Sequence, residues 1–171
     1  MERETVQIRA TTLEDTHGFW ECVSEVARER KFLSFVEAPP IEMSRDWIEK
    51  LRKVDFPHFV AVDRGNIVGW IDIAPLGREM FSHVGHLGMG LLADYRGKGL
   101  GTRLMEVALT RAWEIGLERV ELEVYPSNAT AIHLYENFGF QLEGSRRKAK
   151  KMDGVHEDIL IMGLLREERE V

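Results

Sequence analysis

The segment Tyr95-Arg96-Gly97-Lys98-Gly99-Leu100-Gly101-Thr102 follows an apolar strand pattern and runs directly into a helical one. Glycines at alternate positions 97, 99 and 101 remove the β-carbons that would keep a ligand away from the backbone. The opening turn of a helix points N–H groups without intrahelical partners, and the positive end of its dipole, at whatever sits there. Two cations, Arg96 and Lys98, interleave with the glycines. Residue types in this order are suited to holding a phosphate chain.

Three phosphate-binding loops compete. A nucleoside-triphosphate loop needs G-x-x-x-x-G-K-[ST], and that spacing does not occur. A dinucleotide loop needs G-x-G-x-x-G, whereas this chain has G-x-G-x-G followed by Thr102, with the run Ala93 to Arg96 between the strand and its first glycine. The third pattern, R-x-x-G-x-G, is satisfied by Arg96-Gly97-Lys98-Gly99-Leu100-Gly101. Downstream, Glu121-Leu122-Glu123-Val124-Tyr125-Pro126-Ser127-Asn128 leads into Ala131-Ile132-His133-Leu134-Tyr135-Glu136-Asn137-Phe138-Gly139-Phe140, an Asn opening a helix that ends in L-Y-x-x-x-G-F. In these two segments, their order and their separation, the chain resembles the GNAT superfamily of acetyl-CoA-dependent N-acetyltransferases over roughly residues 5 to 165. Glu143-Gly144, Arg147, Asp153-Gly154, Asp158 and Met162 are similar to its bacterial branch of ribosomal-protein and small-amine acetyltransferases.

Acetyl transfer to an amine requires the thioester to be held, its carbonyl polarised, the amine made neutral and the leaving thiolate protonated. Lysine-type and α-amines are mostly protonated at pH 7, with ordinary pKa values of about 10.4 and about 8. The resemblance implies that Arg96, Gly97, Lys98, Gly99, Leu100, Gly101 and Thr102 hold the pyrophosphate and that the backbone of Met89, Gly90 and Leu91 polarises the carbonyl. Glycines at 85, 88 and 90 can equally ease sheet packing. On periodicity alone Tyr135 is a core aromatic of its helix; the resemblance makes it a cofactor contact and the acid, since a phenol stays protonated at neutral pH. Asn128 is read as a helix cap, and by resemblance it also meets the pantetheine arm. Glu123 alternates with Glu121 and Tyr125 against Val120, Leu122 and Val124, so it lines a cleft, is paired or is solvated. The resemblance makes it the base, acting through water. His83 and His86 are rival bases or ordinary sheet residues. An acceptor pocket drawn by the same likeness takes in Phe32, Leu33, Phe35, Glu37, Trp70, Asp72 and Asp158, each of which is also well explained as core or surface.

The elements that must position these residues follow from pattern. Strands are expected at 6–9, 59–62, 67–73, 83–92 and 119–124, and a hairpin joins 140–151 to 155–165 through Asp153-Gly154. Helices are expected after the capping run Thr11 to Asp15, over 45–54, from Leu100 to Gly116 with Leu100, Leu104, Val107, Ala108, Ala112 and Ile115 on one face, and over 128–137. Residues 31–44, with Pro39-Pro40, read as an irregular loop, and 166–171 as a frayed charged tail. The fold class expected is α+β: a single domain over 1–171, with a mixed, mostly antiparallel sheet of about seven strands flanked by about four helices.

At 171 residues one full core is affordable, and a formal charge of -6 argues against non-specific nucleic-acid binding. The lone Cys22 forms no internal disulfide, and its distance from the motifs makes it a poor nucleophile. A charged start and the lack of an 18-residue apolar run predict a soluble cytoplasmic protein with no membrane partner. The function expected is therefore transfer from acetyl-CoA, as co-substrate and without a metal, to a primary amine on a small molecule or a protein N-terminus. A homodimer is compatible with the resemblance. The alternative is a regulatory module that binds CoA without chemistry.

Overall fold

Strand β3 (Asn66–Pro75) decides the architecture, because every residue from Ile67 to Ala74 is buried. A strand covered on both faces belongs in the middle of a sheet. The computed structural model describes residues 6–169. Its strands are β1 (Gln7–Ala10), β2 (His58–Asp63), β3, β4 (Val84–Leu91), β5 (Arg119–Val124), β6 (Gln141–Met152) and β7 (Val155–Leu165). They hydrogen-bond in the order β1-β2-β3-β4-β5-β7-β6, and β4 runs parallel to β5. Four α-helices accompany them: α1 (Thr16–Arg28), α2 (Ile41–Lys53), α3 (Leu100–Glu114) and α4 (Ala129–Asn137). The α+β class with a mostly antiparallel seven-stranded sheet is what the patterns anticipate.

The chain divides into two compact units, and β4 contributes to both. The first unit runs to Ala74 and resumes over Gly88–Ile115. Here α1 and α2 pack together, and their apolar sides join Val60 of β2 and Trp70 of β3 in a cluster with Phe19, Cys22, Val23, Val26 and Ile48. Helix α3 packs against β2, and its buried residues are Leu100, Leu104, Met105, Ala108, Leu109 and Ala112. Val107 and Ile115 are only half-buried, so the buried stripe is turned toward Met105 and Leu109 from the face expected.

The second unit comprises Pro75–Leu87 and the chain from Gly116 onward. Within it, β4 pairs parallel to β5 at Val84↔Arg119, Gly85↔Val120 and His86↔Glu121. Strand β7 runs antiparallel to β5 along its whole length, Arg119↔Leu165 to Val124↔Leu160, and β6 forms a hairpin with β7.

Two local expectations are corrected. Helix α2 begins at Ile41, not at residue 45: Pro40 occupies its N-cap, and the Met43 N–H donates to the Pro40 carbonyl at 2.9 Å. A proline is tolerated at a helix start because it has no N–H to leave unsatisfied. The tail is not frayed over Arg166–Arg169, which forms a 3₁₀ turn. The Glu168 carboxylate accepts from the Leu165 N–H at 3.1 Å and from the Gln141 amide at 2.9 Å, anchoring the turn to the hairpin.

Candidate active site

In the first unit, β4 ends at Leu91 and a 3₁₀ turn over Ala93–Tyr95 delivers the chain to the glycine loop. Gly97 and Gly99 both lie at positive φ, 69° and 77°, a region that costs an L-residue roughly 1–2 kcal/mol. A β-carbon at either position would meet nothing within 4 Å, so the backbone here faces open space. Gly99 is the N-cap of α3 and supplies no side-chain cap. The first intrahelical bond runs from the Arg103 N–H to the Gly99 carbonyl, which leaves the N–H groups of Leu100, Gly101 and Thr102 in the unpaired first turn. Lys98 is exposed, its Nζ 5.9 Å from the Tyr95 ring centroid. An open cradle of amides with a nearby ammonium fits a diphosphate.

Arg96 behaves differently from its neighbours. Its guanidinium grips Glu29 at the end of α1 with two bonds of 2.8 and 2.5 Å, and donates twice to the Leu91 carbonyl at 2.9 and 2.7 Å. It also sits 4.7 Å over the Phe32 ring. The side chain is thus spent on tying the loop to the end of β4 and to the segment after α1. Glu29 is held below the usual carboxylate range chiefly by this bond. The pairing joins residues 67 apart in sequence, and no local signal announces it.

Met89, Gly90 and Leu91 are half-exposed residues of β4. A side chain at Gly90 would overlap the Trp70 ring, and one at Gly69 would overlap Leu91, so these two glycines have packing reasons of their own. Gly88 is different: a β-carbon there would meet only the Asp72 carboxylate, at 3.6 Å from Oδ1 and 3.8 Å from Oδ2. Asp72 is buried in β3, and loss of hydration pushes its carboxyl up to about 7 against a bond from Trp47 that lowers it. His58, its register partner on β2, is buried against Phe19 with neither ring nitrogen bonded. Burial pushes its imidazole down to about 4. Cys22 is likewise buried, and its thiol is raised to about 12, mainly by burial, so no thiolate is available at neutral pH.

In the second unit, Tyr135 is the one buried residue of α4, its ring 5.8 Å from that of Phe140. Burial raises its phenol above the ordinary value, which keeps it a proton donor. Asn128 caps α4, its side-chain oxygen accepting from the Ala131 N–H at 3.3 Å, as expected. Glu123 projects from β5 with about two-fifths of its side chain exposed, and it is ion-paired with Arg146 of β6. Glu121 pairs instead with Arg119, which also holds Glu143 at 2.5 Å. His83 lies just before β4, its carbonyl accepting from the N–H groups of Glu118 and Arg119, and His86 is paired with Glu121 in register. Asp158 accepts from the Lys148 N–H at 2.7 Å and from Ser145, so it braces the hairpin.

Of the remaining pocket candidates, Phe32 and Leu33 pack against the first unit's core, Trp70 lies within it, and Phe35 and Glu37 are exposed. Among the described residues, no helix is long and apolar enough to cross a membrane.

Residues 20–140 match the model of the acetyltransferase (GNAT) family. The chain is 30% identical to a prophage-derived N-acetyltransferase, YokL, of Bacillus subtilis, over 98% of its own length and 94% of that protein. It is 29% identical to the L-amino acid N-acetyltransferase AaaT of Escherichia coli, over 68% of this chain and 73% of that one. Its fold is similar to that of a phosphinothricin acetyltransferase from Sinorhizobium meliloti solved with acetyl-CoA, with a TM-score of 0.88, 20% identity, and coverage of 94% and 88% of the two chains.

Proposed function

Because this chain belongs to the GNAT family and is therefore an acetyl-CoA-dependent acyltransferase, we propose that it acetylates a primary amine by direct attack, the acceptor being a small molecule or a protein N-terminus. The observation that carries the reading is the loop at Gly97 and Gly99, where positive φ, open space and an uncapped helix start coincide. All 171 residues are taken to serve as one catalytic domain.

The loop from Arg96 to Thr102 holds the diphosphate through backbone N–H groups, with Lys98 adding charge; Arg96 contributes by fixing the loop's shape. The backbone of Met89, Gly90 and Leu91 polarises the thioester carbonyl. Asn128 meets the pantetheine arm while capping α4. Tyr135, kept protonated by burial, gives its proton to the departing sulfur. Glu123, exposed and paired with Arg146, receives a proton from the acetylated nitrogen through water and exchanges it with solvent. The L-amino acid acetylated by the E. coli relative favours a small acceptor carrying an α-amine.

The test is a thiol-release assay with acetyl-CoA against amino acids, polyamines and peptide N-termini, with mass spectrometry of the products. Release that depends on an amine, with one acetyl group gained per thiol, is expected. Acetyl-CoA binding without release in the presence of any amine would leave only the regulatory-module alternative.

A further inference from the structure

A charged residue in the middle of a wholly buried strand demands an explanation. Between Ile67 and Ala74 of β3, Asp72 is the sole ionisable side chain, and it is 8% exposed. Burying a carboxylate is costly unless it is paired and bonded. Among the described residues no cation pairs with Asp72, and the Trp47 indole of α2 donates a hydrogen bond to it. An apolar residue there would serve the fold better. The neighbouring strand makes the arrangement more specific. On β4, Gly88 faces the carboxylate: a β-carbon there would lie 3.6 and 3.8 Å from Oδ1 and Oδ2, and glycine leaves that place unfilled. That gap immediately precedes Met89–Leu91, the stretch proposed above to polarise the thioester.

We infer that Asp72 is a catalytic residue: it takes a proton from the ammonium form of the acceptor, which reaches it through the space left by Gly88. This rests on the proposed transfer to an amine and supplies a step that Glu123 does not, since an ammonium must lose a proton before it has a lone pair to attack with. The balance is complete. One N–H proton passes to the Asp72 carboxylate; the freed pair forms the C–N bond as the C–S bond breaks; Tyr135 protonates the sulfur. The second proton leaves the nitrogen through water to Glu123 and passes to solvent, from which Tyr135 regains its own. Asp72 returns its own proton to solvent, so that one proton is released per turnover.

Other groups on this side of β2 and β3 do not compete. His58, opposite Asp72, is kept neutral by burial, and Asp15 is bonded to Arg9 and Thr12. Trp47 offers an indole from α2, and β4 presents no side chain at Gly88. With its carboxyl at about 7, Asp72 exists in both forms near neutrality, where a general base is most effective.

The test compares wild type, Asp72→Asn and Gly88→Ala in the thiol-release assay from pH 6 to 10, with acetyl-CoA binding followed by thermal shift. For Asp72→Asn, turnover at pH 7 is expected to fall roughly 10²–10⁴-fold with acetyl-CoA binding unchanged. The loss should close as pH rises toward the acceptor's own pKa, because an amine already neutral needs no base; a purely structural defect would cost the same factor at every pH. The variant should also melt higher than wild type at pH 8, where removing a buried charge stabilises the fold. Gly88→Ala, whose methyl meets only the carboxylate, should fold normally and raise the KM for the amine at least about tenfold but not that for acetyl-CoA. Asp72→Asn turnover within threefold of wild type, a pH-independent loss, or an unchanged amine KM in Gly88→Ala would each overturn the assignment while leaving acetyl transfer intact. A wild-type protein that releases no thiol with any amine would overturn both.

Discussion

Replacing Gly99 by alanine separates the strain of a left-handed backbone from the loss of a ligand site, because the chain contains a matched control. Gly99 has φ 77° and Gly116, after α3, has φ 90°; a β-carbon at either would meet nothing within 4 Å. Forcing alanine into the left-handed region costs roughly 1–2 kcal/mol at each. For a domain of this size each kcal/mol lowers Tm by about 2–4 °C, so both variants should melt roughly 2–8 °C below wild type. They part on ligand addition. At about 100 times Kd, acetyl-CoA contributes about 2.7 kcal/mol, a rise of roughly 5–11 °C, and Gly116→Ala should show all of it. In Gly99→Ala the new methyl and the altered backbone fall within the proposed cradle at the N-cap of α3, and most of that rise should vanish. Differential scanning fluorimetry with and without acetyl-CoA, at one protein concentration, reads both quantities. Equal ligand shifts in the two variants would refute the claim that the loop backbone forms the diphosphate site.

Tyr135→Phe should keep the acetyl-CoA shift and lose roughly 10²–10⁴-fold in kcat, because the ring stays in its packing against Phe140 while the proton donor is gone; steady-state thiol release measures it. Glu29→Gln should lower stability at pH 7 by roughly 1.5–3 kcal/mol, the scale of hydrogen bonds to charged groups. Since Glu29 is held below the carboxylate range, that contribution is present above its unfolded pKa of about 4.3 and is lost as pH falls through the folded value; denaturant midpoints of the two proteins should converge below about pH 4. His58 acts at milder acidity. Its imidazole, at about 4 when folded and about 6.5 when unfolded, stabilises the fold above pH 6.5, and on the order of 3 kcal/mol is lost as pH falls from 6.5 to 4. His58→Phe should flatten that part of the stability profile in urea titrations.

What could be read from the sequence was mostly local. The spacing of Gly97 and Gly99, the Asn128 cap and the Asp153-Gly154 turn each act over a few residues, and each folds as its residue types dictate. The start of α2 was hidden because a proline usually reads as a breaker, and at an N-cap it is not one. Long-range pairings left no such trace. The attachment of Arg96 to Glu29 and Leu91 is of this kind, because only the folded chain brings α1 to the loop. Similarly, the glycines of β4 looked alike in sequence. Trp70 fills the space at Gly90, whereas Asp72 borders the space at Gly88, and the difference depends on which residues of β3 lie alongside. The alternation in β5 left Glu123 paired, solvated or lining a cleft; the structure gives it Arg146 and partial exposure together.

The most direct test of the central claim is a crystal structure of the protein with acetyl-CoA. The diphosphate oxygens should lie within hydrogen-bond distance of N–H groups between Gly97 and Thr102, with the Arg96 guanidinium still on Glu29 and Leu91. A diphosphate held elsewhere, or held chiefly by the Arg96 side chain after it has left Glu29, would contradict it.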